Sequence, residues 1–162
     1  MDFGVILIAV LIAFNLFIAG FVAMKSIRDK TNQLFVFMVA IMTLWMFSNF
    51  FENEARIVGE QGTAFFLRLD FASAPLWFFS ILLFSWAFLK KDWRPNWLTT
   101  IFLALPAVVY AFFAYTDLII NDITFTGGVV RYGTGPLFSI YGLTIIAYQI
   151  AATLLLVWKS IR

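Results

Sequence analysis

Cysteine and histidine are both absent from the 162-residue chain. Disulfides, thiol chemistry and the usual zinc, haem and iron–sulfur ligand sets are therefore excluded within it, and the redox compartment leaves no trace. No cofactor and no metal site is expected. Charge is nearly as scarce, at 12% of residues, and the net of +2 is too small to suggest a nucleic-acid partner. A glycine-rich phosphate loop and a Ser–His pair are missing too, so nothing beyond two carboxylates described below offers acid–base chemistry, and an enzyme is not expected. What fills the chain is apolar: 63% hydrophobic and 20% aromatic, with 21 Phe. Soluble domains sit near 45–50% apolar and about 25% charged. The composition points to a single all-α integral membrane domain over residues 1–162, with the lipid bilayer as its first partner.

Long uncharged runs occur at Phe3–Met24, Leu34–Phe51, Phe71–Leu89, Trp97–Thr116 and Leu137–Trp158, each 18 to 22 residues long. At 1.5 Å per residue, each is long enough to cross a hydrocarbon core of about 30 Å. The expectation is a bundle of five transmembrane helices. The first run has Asp2 rather than basic residues before it and no small-x-small cleavage site after it, so it reads as a mature helix and not as a signal peptide.

The connections alternate in charge. Lys25, Arg28 and Lys30, then Lys90, Lys91 and Arg94, then Lys159 and Arg162 hold 8 of the 11 basic residues and follow the first, third and fifth runs. The basic side is cytoplasmic by the positive-inside rule, so the N-terminus is expected outside a plasma (inner) membrane and the C-terminus in the cytoplasm. Trp93, Trp97 and Trp158 stand where amphipathic rings favour the headgroup level.

Between the fourth and fifth runs the chain is too polar to cross. Ile123–Thr126 and Val129–Tyr132 alternate and are rich in β-branched and aromatic residues, separated by Gly127-Gly128, which suits a type I′ turn. A small extracellular β-hairpin over residues 119–133 is predicted, with Pro136 in the first turn of the fifth helix.

The order of these features resembles the N-terminal seven-transmembrane sensor region of bacterial histidine kinases. The residues that carry the resemblance are Leu44-Trp45 and Asn49–Glu52; Leu69–Phe71 with Pro75–Trp77; Pro106; and the hairpin leading into Tyr132–Phe138 and Tyr141. It implies a sensory input module of a two-component receptor. A cytoplasmic output domain or a homodimer partner and a small or lipid-like ligand go with it. Two further helices and an output domain, which such receptors carry, are not in these residues, so the chain reads as a fragment or a shortened relative. The alternative is a structural or accessory membrane subunit packed against another membrane protein through its Phe-rich surface.

Ionisable residues deep in a membrane are functional candidates, and the first, fourth and fifth runs have none. In the second, Trp45, Asn49 and Glu52 recur on one helical face and Arg56 continues it; in the third, Asp70, Ser73 and Trp77 do the same. One reading is an outward-facing pocket walled by Trp45, Trp77 and Tyr141, with Asn49, Glu52, Asp70 and Ser73 as its polar groups. The other is that the acids are solvated at headgroup level or paired with Arg56 and Arg68. Asn15 and Gln149 are expected to join helices through their amides. Phe47 and Phe79 are expected to face lipid. Pro75 falls in the first turns of its run, where a missing N–H costs little.

Overall fold

The computed structural model describes residues 3–26, 28–53, 55–88, 96–126 and 129–161. Among them are five helices and one hairpin: α1 (Phe3–Ser26), α2 (Lys30–Glu52), α3 (Ala55–Ala87), α4 (Trp97–Phe113), β1 (Ile120–Thr126), β2 (Val129–Thr134) and α5 (Phe138–Ser160). Four of the helices, all but the 17-residue α4, are long and apolar enough to cross a membrane.

Local chemistry sets most of the ends. The Asp29 carboxylate accepts the Thr31 N–H at 2.7 Å and starts α2 ahead of its apolar run. Asn96 caps α4 in the same way through the Leu98 N–H at 3.1 Å. The basic residues Lys90, Lys91 and Arg94, the ring of Trp93 and the Gly127-Gly128 turn lie outside the described residues.

The largest departure from the sequence reading is in α3, which starts at Ala55 instead of Phe71. Arg56, Glu60, Arg68 and Asp70 interrupt the apolar run there, so hydropathy alone reads a loop. The helix is amphipathic at this end: Thr63 and Leu67, four residues apart, are 0% and 1% exposed. Gly59, at φ 72° and ψ 172°, breaks the helical geometry near the start, in a region of backbone space that glycine enters without steric cost. Pro75 consequently sits deep inside α3 and not in its first turns. Pro136 lies just before α5, with Leu137 at the N-cap position.

α3 is the hub. It packs against α2, α4 and α5, touches both strands, and leaves α1 packed only on α2 among the main helix contacts. Two apolar clusters run along it. One joins Phe79, Leu82 and Leu83 to Ala107 of α4 and to Tyr148 and Ala152 of α5. The other, at the hairpin end, joins Leu67 to Ile119, Ile120 and Tyr141. Phe79 is thus buried against Tyr148 and does not face outward. The Asn15 amide reaches Met46 Sδ across the α1–α2 contact at 3.4 Å, whereas Gln149 lies on the exposed side of α5.

β1 and β2 pair antiparallel, with Thr126 opposite Val129 and Ile120 opposite Thr134. The register shifts between Asn121 and Thr124, where Asp122 adopts φ 47°. Such a bulge twists the strand and turns side chains away from simple alternation. The hairpin is tied to α5 by Gly135 N–H to Ile119 O at 2.8 Å and Leu137 N–H to Leu118 O at 2.9 Å.

Candidate functional site

At the hairpin end, α2 and α3 run side by side and bring their polar stripes together. Trp45 and Trp77 stack with ring centroids 4.8 Å apart and planes at 19°. About one to two turns nearer the hairpin, Asn49 Nδ2 donates to Glu52 Oε1 at 3.4 Å, and Asn53 Nδ2 donates to the same oxygen at 3.4 Å. Asn49 also reaches the Asp70 carboxyl, and the Glu52 and Asp70 carboxylates are close enough to act on one another electrostatically. Glu52 Oε2 and Asp70 Oδ1 are both shielded from solvent and have no hydrogen-bond partner among the described residues. A buried acceptor left unpaired is costly, so two of them on neighbouring carboxyls form a place that favours a hydrogen-bond donor or a cation.

The hairpin covers this end from the side of β2. The Tyr132 ring meets Phe71 edge-on at 5.5 Å. Partial burial first, and the Glu52 and Asp70 carboxylates after it, push the Tyr132 phenol above its usual range.

Five of the seven residues singled out from the sequence, Trp45, Asn49, Glu52, Asp70 and Trp77, therefore share one region. The other two are turned to the backbone. Ser73, 1% exposed, donates to the Asp70 carbonyl at 3.0 Å. Tyr141 donates to the Phe71 carbonyl at 2.9 Å and packs among Phe71, Phe138 and Tyr110. Asn53 and Tyr132 were not foreseen. Asn53 continues the Asn49 face by one turn, a signal that periodicity contains, but Tyr132 joins the site only through the docking of the hairpin.

Arg68 does not pair with these acids. Its Nη1 donates to the carbonyls of Ala114 at 3.1 Å and Thr116 at 2.9 Å, and its Nη2 bonds Asp117 at 3.0 Å. Two clefts lie away from the acids. One of about 240 Å³ lies between α1 and α2 at Ala23, Asn32 and Phe37; one of about 440 Å³ lies between α4 and α5 at Pro106, Tyr110 and Tyr148.

Apolar helices that expose Phe17 at 70%, Phe102 at 72% and Phe112 at 69%, four of the five described helices being long and apolar enough to cross a membrane, define a class of mostly helical proteins with a small hairpin and a large exposed apolar surface. Residues 5–162 match the family described as the N-terminal 7TM region of histidine kinase, and the chain belongs to that family. Comparison with curated proteins and with solved structures gives no match. The match is to a sensor input region rather than to a catalytic domain.

Proposed function

We propose that the chain is the membrane-embedded input module of a two-component receptor, and that a small or lipid-like ligand engages it where α2, α3 and the hairpin meet. The observation that carries the reading is the pair of solvent-shielded, unpartnered oxygens on Glu52 and Asp70, set between the Trp45–Trp77 stack and Tyr132. A ligand with a donor group toward the carboxyls and a flat or apolar body toward the indoles satisfies both. To signal, it must favour one helix arrangement over another, since equal affinity for both shifts nothing. The charge distribution of the connecting segments supports an orientation with the hairpin outside and the α5 C-terminus toward a cytoplasmic kinase output domain.

The experiment is substitution in a receptor that joins this chain to a kinase output domain. Glu52→Gln and Asp70→Asn keep size and remove charge; each is expected to change the response by tenfold or more in effective ligand concentration, the loss of about 1.4 kcal/mol of binding, with unchanged membrane amount. The control is Phe112→Leu, on an exposed face of α4. Receptors that respond like the parent with both carboxylates neutralised would remove the site from consideration.

A further inference from the structure

The bond made by Tyr141 has a second consequence, which depends on Pro75. In an α-helix each N–H bonds the carbonyl four residues earlier, and proline has no N–H to give. Inside α3 this leaves the Phe71 carbonyl without its helical partner. Phe71 packs against the cluster of Leu67, Ile119, Ile120 and Tyr141, where little water is at hand to replace the missing donor. The Tyr141 hydroxyl of α5 donates to that same carbonyl, at 2.9 Å and across 70 positions of sequence. The tyrosine is 5% exposed, and its ring is held by Tyr110 of α4, edge-on at 5.8 Å, and by Phe138, stacked at 6.3 Å.

Tyr148 provides an internal comparison. It lies seven residues further along α5, hence on the same face, and donates to the Leu103 carbonyl at 2.6 Å near Pro106. The carbonyl that Pro106 deprives is that of Phe102, so Tyr148 bonds the next carbonyl along and not the one the proline frees. Of the two, Tyr141 is the one that bonds the carbonyl four residues before a proline.

Pro75 stands between Asp70 and Ser73 on one side and Trp77 on the other. A proline gap is where a helix changes its bend at least cost, because no internal hydrogen bond has to break. We infer that Tyr141 caps the Pro75 gap and thereby couples the bend of α3 to the position of α5, so that movement of α5 alters the spacing between the acids and the Trp45–Trp77 stack. The coupling is reciprocal: whatever changes that spacing moves α5. It goes beyond the ligand reading and is tested without any ligand, so either can fail alone.

The test is a double-mutant cycle on this chain in detergent micelles: parent, Tyr141→Phe, Pro75→Ala and both together. The Pro75→Ala change restores an N–H to the Phe71 carbonyl and makes the tyrosine hydroxyl redundant. Tyr141→Phe is expected to lower Tm by roughly 2–4 °C in the Pro75 protein, and by less than half as much in the Pro75→Ala background. Spin labels at cysteines replacing Phe65, exposed on α3, and Phe88, exposed one residue past its end and bonded back to the Phe84 carbonyl, report its bend; a straight helix would hold their backbones about 35 Å apart. Their distance distribution is expected to shift or broaden on Tyr141→Phe with Pro75 present and to stay unchanged without it. Tyr148→Phe should cost the same in both backgrounds. An equal cost of Tyr141→Phe with and without Pro75, or an unaltered label distance, overturns the inference. If the Pro75→Ala protein is not recovered folded, the label distance in Tyr141→Phe decides by itself.

Discussion

Arg68 carries a charge from the side of α3 to the end of α4, and its two nitrogens do unequal jobs. Nη1 satisfies the carbonyls of Ala114 and Thr116 beyond the last turn of α4, where carbonyls lack helical donors and a cation is favourable. Nη2 meets an Asp117 side chain that is 79% exposed. Exposed ion pairs contribute little, whereas hydrogen bonds to a charged group are worth about 1.5–3 kcal/mol. Arg68→Ala is therefore expected to destabilise the fold by about 2 kcal/mol, and Asp117→Asn to leave it nearly unchanged, as read by thermal unfolding in micelles. Equal losses from the two would place the energy in the ion pair instead. In the sequence Arg68 reads as a candidate partner of the nearby acids, because carbonyl partners 46 and 48 positions away leave no mark on periodicity. The cluster of Asn49, Glu52 and Asp70 was legible, since residues three and four apart share a helical face and successive helices run antiparallel.

The hairpin, as an element, is held to the bundle by a close backbone approach. A Cβ at Gly135 would collide with the backbone of Asp117 and Leu118, whereas one at Gly142, on α5, would meet nothing within 4 Å. Gly135→Ala is expected to cost about 1–3 kcal/mol through that overlap, and to speed hydrogen exchange in β1 and β2. Gly142→Ala should be neutral or stabilising by about 0.5–1 kcal/mol, as glycine is a poor helix former. Opposite signs in Tm, measured side by side, check the pair; a loss at Gly142 as large as at Gly135 would contradict the packing. Strand alternation and the Gly-Gly pair made the hairpin legible. Its bulge at Asp122, and the contact of Tyr132 with Phe71, depend on how the strands sit against α3 and were not.

At the scale of the whole molecule, the proposed orientation rests on the basic residues that follow the first, third and fifth apolar runs in the sequence, and the cysteine-free chain makes its test clean. Single cysteines replacing Ser26 and Asn96 are expected to resist a membrane-impermeant thiol reagent in intact cells, and those replacing Asn53 and Thr126 to react. Labelling of Ser26 from outside, with Thr126 protected, would invert the orientation. Asn53 serves here because the turn between α2 and α3 is brief; Gly62, which hydropathy assigns to an outer loop, lies inside α3. Helix number and the hairpin's place were readable from composition and order, because a bilayer forces backbone hydrogen bonds inside each helix and sets its length. The start of α3, the burial of Phe79 and the union of Pro75 with Tyr141 were decided only by tertiary packing. Hydropathy reports what each segment would do alone in lipid. It does not say which faces meet, and a carbonyl freed by a proline finds its donor only once two distant helices are brought together.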